Sequence, residues 1–236
     1  MAKACPSPQP LRMVLGTAIF ITVMMLLVFL GRFIFAPLMP AIVDDQRVGL
    51  APGQAGSLFL LGALGFFAGS IVAGFVSSRI KHRGTMIVTV FVMALTLVAA
   101  YFAHSVWALR AVFVVLGACA GIHLPSSLAT LTATVRKEDW GKALSVQQLA
   151  PPLTLLAAPL LAVLLLNWFT WNEVLLWVAG LGLILALWFM FFTGGIGAFP
   201  GDPPNKEFAG PVLRTHSFWL MIALFAAIVW WMVSQG

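Results

Sequence analysis

The stretch MVLGTAIFITVMMLLVFLGRFIFAPLMP, residues 13–40, carries a single charged side chain, Arg32, in an otherwise almost wholly apolar run. A helix needs about 20 mostly apolar residues to cross the hydrocarbon core of a bilayer. Residues 13–40 exceed that, and no small-residue cleavage site follows, so the run reads as a retained membrane helix and not as a signal peptide. Six further runs have the same character: about 55–78, 85–103, 107–133, 143–166, 174–193 and 216–236. They are unbroken rather than alternating, which is the helical and not the barrel solution for a backbone in lipid. The expected fold is an all-α integral membrane protein.

Composition agrees. The chain has 236 residues, of which 61% are hydrophobic and 8% charged. Soluble domains carry roughly 25% charged residues, so water is not the main solvent of this chain. A net charge of +6 would suggest nucleic acid in a soluble protein. Here the cations fall in short connections between apolar runs, and nucleic-acid binding gains no support. Lys3, Arg12, Arg79, Lys81, Arg83, Arg136, Lys137, Lys142, Lys206 and Arg214 lie at one set of ends, and Arg47 alone lies at the other. That asymmetry predicts a cytoplasmic N-terminus.

Four parts follow: a cytoplasmic N-terminus over 1–12, a helical bundle over 13–193, a Gly- and Pro-rich cytoplasmic linker over 194–215, and a seventh run over 216–236. The seventh run ends without a polar residue beyond Ser234-Gln235-Gly236. We read the chain as cut in or just after that helix; a natural seven-span protein is the alternative.

Arg32 is the most informative residue. A cation deep in a span costs about 2.5–3.5 kcal/mol on insertion scales and usually faces a cavity or a partner. It is a candidate anchor for an anionic solute; the competing role is an arginine reaching for the outer interface. Pro37 and Pro40 follow it and remove intrahelical hydrogen bonds. In the fourth run, Gly117 and Gly121 form a small-residue face for close helix packing. His123 lies deep in the same run and reads either as a solute contact or as an interhelical hydrogen bond. Arg110, one turn after Trp107, reads as interfacial. Gln147 and Gln148 point about 100° apart on a helix, so at most one lines a given pathway.

Absences narrow the function. Asp44, Asp45 and Glu173 sit at span ends, and Glu138, Asp139, Asp202 and Glu207 in loops, so no buried carboxylate relay is expected. The seventh run has no lysine for a retinal. His82, His104, His123 and His216 do not suggest paired haem ligation, and Cys5 and Cys119 make neither a disulfide nor a metal site. Neither cofactor, metal nor catalytic residue is expected.

The whole pattern resembles the major facilitator superfamily. Six runs, a long cytoplasmic linker and the start of a seventh are similar to the N-terminal half of its twelve-span plan. The decapeptide Gly74-Phe75-Val76-Ser77-Ser78-Arg79-Ile80-Lys81-His82-Arg83 resembles the family signature G-x-x-x-D-R-x-G-R-R. Gly74, Arg79 and Arg83 fit; Ser78 stands for the aspartate and Lys81 for the second glycine. Arg110 followed by Gly117 and Gly121, Trp171, and Ser217-Phe218-Trp219 are also similar to the superfamily. The segment from Arg32 to Pro40 resembles the first span of several subfamilies. Among them are organophosphate:phosphate antiporters, where an arginine binds the anion.

The resemblance implies a six-helix bundle of 3+3 inverted repeats plus a partial seventh helix. It implies alternating access against a missing C-terminal half and a conformational-switch loop at Gly74, Ser78, Arg79 and Arg83. It places Arg32 and His123 on one solute path. The expected function is secondary transport of a small organic solute, anionic if Arg32 binds it. The expected location is a bacterial inner (plasma) membrane, and the expected partners are the lipid bilayer and that solute. A stand-alone membrane assembly subunit or a non-transporting fragment is the alternative, and a membrane redox protein is a third class.

Overall fold

The computed structural model describes residues 9–192 together with 196, 201, 219, 220 and 223. The expected linker 194–215 and seventh run 216–236 lie almost wholly outside the described residues, as does most of the segment 1–12. The chain divides into two compact units, 1–201 and 202–236. In the second, the described residues Trp219, Leu220 and Ala223 are helical.

The first unit is helical: α1 Leu11–Phe33, α2 Phe35–Asp44, α3 Ala55–Tyr101, α4 Val106–Thr134, α5 Trp140–Gln148, α6 Ala150–Leu166 and α7 Trp171–Phe192. Lipid offers no hydrogen-bond partner to a backbone, so apolar sequence there must bond within its own segment. Among the described residues, five helical stretches are long and apolar enough to cross a membrane: Leu11–Asp44, Ala55–Tyr101, Val106–Thr134, Lys137–Leu166 and Trp171–Phe191.

Proline explains two interruptions inside these stretches. Pro37 has no N–H for the carbonyl of Phe33, and the helix loosens at Ile34 between α1 and α2. Pro151 and Pro152 likewise deprive Gln147 and Gln148, and α5 gives way to α6 at Leu149.

The third interruption reverses the chain. A straight 47-residue helix would run about 70 Å at 1.5 Å per residue, against a core of about 30 Å. It breaks at Lys81, whose backbone has φ 64° and ψ 161°. Phe66 and Ser70 before the break and Thr89 after it all meet the Gly121–His123 turn of α4. The two arms of α3 therefore lie side by side. The runs 55–78 and 85–103 fall on either side of the break.

The first arm and α4 touch backbone to backbone. A Cβ on Gly65 would strike the carbonyl of Val114, one on Gly69 that of Ala118, one on Gly117 that of Gly62, and one on Gly121 that of Phe66. Small residues are what allow such an approach. On the other side, Gly182 of α7 receives Met93 and Ala94 of the second arm. Arg83 donates to the carbonyls of Phe189 (3.1 Å) and Met190 (2.7 Å), binding the last turn of α7 to the start of that arm. The core between the arms, α1, α2 and α4 is filled by Met24, Val28, Phe35, Leu38, Met93 and Phe113.

Both ends of the bundle are tied. Asp139 accepts from the backbone N–H of Leu11 at 3.0 Å and so caps α1 from across the fold. At the opposite end, Asp45 accepts from Arg47 (3.0 and 2.8 Å) and from the indole of Trp171 (3.1 Å), joining α2 to α7. The hydrogen bonds from Arg47 hold the Asp45 carboxyl below its ordinary value.

Candidate functional site

Arg32 is the second-last residue of α1, at the level where Pro37 disturbs the helix. Its guanidinium carbon lies 5.5 Å from the centre of the Phe33 ring and 5.5 Å from that of Phe66. Gly62 lies opposite, where a Cβ would be in ordinary contact with Arg32 Nε at 3.7 Å. The side chain is half-buried. It makes neither an ion pair nor a hydrogen bond with a described residue, so aromatic faces are its protein partners. Such contacts are worth about 0.5–2 kcal/mol and leave the five N–H donors free to bind. A planar fork of donors in a mostly apolar setting is a receptor for a carboxylate or phosphate.

His123 is fully enclosed. Its Nδ1 lies 2.8 Å from the hydroxyl of Thr89, which links α4 to the second arm of α3. Gln147 is also fully enclosed and donates through Nε2 to Ser127 Oγ at 2.8 Å, linking α5 to α4. Gln148 is exposed. The four candidate solute contacts thus separate. Arg32 and Gln148 reach accessible surface, while His123 and Gln147 bond inside the bundle.

Reasoning from the sequence missed Thr89 and gave Ser126 and Ser127 no role. The signal was present. Thr85 and Thr89, and Ser126, Thr130 and Thr134, recur at helical spacing inside apolar runs and mark polar stripes facing protein.

Pro125 leaves the carbonyl of Gly121 without its helical N–H, and the hydroxyl of Ser70 approaches that oxygen at 3.5 Å. Arg110 lies 4.5 Å over the ring of Trp107, which is 75% exposed.

In the loop, Ser78 donates to Phe75 O at 2.8 Å and Arg79 stacks on Phe75 at 5.2 Å. The carbonyl of Gly74 accepts from Ser77 at 3.2 Å. Among the described residues no cluster of three His, Cys, Asp or Glu could hold a metal. An apolar groove of about 590 Å³ runs along α7 past Phe169, Trp177, Gly180 and Ile184. Glu173 at its edge already accepts from the backbone and hydroxyl of Thr170, and Arg32 is not among the residues lining the groove.

The family model of the Major Facilitator Superfamily matches residues 21–236. The chain belongs to this superfamily. It is an integral membrane protein, and its fold is that of the family. A crystal structure of a POT family transporter, in complex with a thioalcohol conjugated peptide, is similar over 96% of this chain with a TM-score of 0.68 and 15% identity. The chain spans about half of that protein, covering 48% of it. A search of curated proteins found no match. In the superfamily signature the second glycine falls at Lys81, the residue with positive φ. A lysine here occupies a backbone region that glycine enters at least cost.

Proposed function

We propose that this chain forms the N-terminal bundle of a secondary transporter that moves a small organic anion by alternating access. The observation that carries the anion is Arg32, a cation held by two aromatic rings in a membrane bundle with no described carboxylate beside it. Leaving it uncompensated costs free energy that a bound carboxylate or phosphate would return, because charge pairs are strong where water is scarce. Gln148, exposed on α5, is the second solute contact in this reading. His123 and Gln147 hold the helices that carry the site.

Alternating access needs a second bundle to move against. The surfaces we assign to it are the exposed stripes Leu60, Leu64, Phe67 and Ile71 on the first arm of α3, and Leu153, Leu156, Leu160 and Val163 on α6. The loop with Gly74, Ser78, Arg79 and Arg83 is assigned to the switch between states. The bias of cations toward one set of ends supports a cytoplasmic N-terminus in a plasma membrane, that of a bacterium in our reading.

The test is uptake by the full-length protein in proteoliposomes, with a panel of organic phosphates, carboxylates, amines and neutral sugars. Transport of anions in preference to the rest is expected. Saturable transport confined to amines or sugars rejects the anion, and no transport of any solute by folded protein returns the chain to a structural role.

A further inference from the structure

Among the described residues, His123 Nε2, Ser126 Oγ and Gln147 Oε1 are buried in the interior of the bundle without a hydrogen-bond partner. Their residues are 0%, 1% and 0% exposed. They come from two helices that are already joined at this level, since Gln147 Nε2 donates to Ser127 Oγ at 2.8 Å. One turn on from His123 along α4, Ser126 and Ser127 flank it, Ser126 about 60° to one side and Ser127 about 40° to the other.

Their donor and acceptor character can be worked out. The Thr89 hydroxyl has one hydrogen and stands 2.9 Å from Thr85 O and 3.0 Å from Met86 O. Given to a carbonyl, that hydrogen leaves Thr89 Oγ1 to accept from Nδ1–H of His123. The imidazole is then the Nδ1–H tautomer, and Nε2 presents a bare lone pair. Gln147 Oε1 is also an acceptor, and the Ser126 hydroxyl is a donor. Two acceptors and one donor match one water molecule, which offers two hydrogens and accepts a third. A cation would meet no carboxylate here, because the acidic residues lie at span ends and in loops.

We propose that a bound water bridges His123, Ser126 and Gln147 inside the bundle, joining α4 to α5. Burying these groups unpaired would be costly, and water with two to four polar partners is the usual remedy. The site sits beside Pro125, which lies inside α4, and just before the break at Leu149 after α5. A water there lets either helix shift without stranding a side chain.

The test uses this protein in lipid bilayers with ¹⁵N-labelled histidine. Water-edited solid-state NMR should show the His123 imidazole as the Nδ1–H tautomer with rapid polarisation transfer from water to Nε2. The signal is assigned by its loss in His123→Phe. Ser126→Ala should slow that transfer and lower Tm by about 2–4 °C, the shift of one lost hydrogen bond in a chain of this size. The sign is decisive, because removing a hydroxyl that is truly orphaned leaves Tm unchanged or raises it. Absent transfer at His123 in the wild type, or an unchanged or raised Tm in Ser126→Ala, overturns the bridge.

Discussion

The Arg32 guanidinium lies 5.5 Å from the centre of the Phe66 ring, so a cation of α1 is held by an aromatic face of α3. A carboxylate there would neutralise the arginine and leave nothing for a solute. A ring holds it in place while keeping its charge and donors available.

Phe66→Leu should therefore weaken anion binding without abolishing it. Losing about 0.5–1 kcal/mol of cation–π attraction corresponds to roughly a two- to fivefold rise in KM. Competition by a panel of anions in reconstituted membranes measures this. An unchanged KM would mean that Phe66 does not hold the arginine in its binding pose.

The glycine seam between α3 and α4 makes a second prediction. Gly117→Ala and Gly121→Ala each press a Cβ onto a carbonyl oxygen, of Gly62 and Phe66 respectively. Backbone cannot swing aside as a side chain can. Each should cost about 1–3 kcal/mol, read as a lower melting temperature in nanodiscs. Gly180→Ala on α7, with no atom within 4 Å of the new Cβ, should be neutral or slightly stabilising.

Lys81 occupies a backbone region that is nearly glycine-only, at φ 64° and ψ 161°. Lys81→Gly should stabilise the bundle by about 1 kcal/mol, since strain there runs to about 1–3 kcal/mol and glycine loses more chain entropy on folding. Thermal unfolding in detergent checks the sign. A destabilised glycine variant would show that the lysine side chain contributes more than its backbone costs.

Asp45 supplies a pH dependence. Its hydrogen bonds to Arg47 and Trp171 place the folded pKa below the ordinary 3.8. Stability from this group is then fully present above pH 3.8 and is lost as pH falls through that value toward the folded pKa. Between pH 7 and pH 3 the wild type should lose more Tm than Asp45→Asn, which cannot titrate. Equal acid sensitivity in both would show that the latch does not contribute. Because Arg47 is exposed, the difference should be small and should shrink with added salt.

Much of the fold was legible because lipid imposes a simple rule on sequence: long apolar runs must be helices. The family was legible from the order of those runs and from the decapeptide 74–83. Details that depend on which way a side chain turns were not. His123 read equally well as a solute contact or an interhelical bond, and its direction depends on Thr89, thirty-four residues away in the chain. Helix geometry makes Gln147 and Gln148 diverge, but the face of α5 turned inward is set by packing against Ser127 of α4. Lys81 was noted as a departure from the signature. That the departure carries a positive φ needed the backbone.

The most direct test of the anion-transport reading is uptake of the preferred anion by full-length protein in proteoliposomes, comparing wild type, Arg32→Lys and Arg32→Ala at equal reconstitution. The expected result is a loss of at least tenfold in kcat/KM for Arg32→Ala, with partial retention in Arg32→Lys, which keeps the charge but not the fork. Wild-type anion uptake in Arg32→Ala would contradict it and return Arg32 to an interfacial, purely structural place in α1.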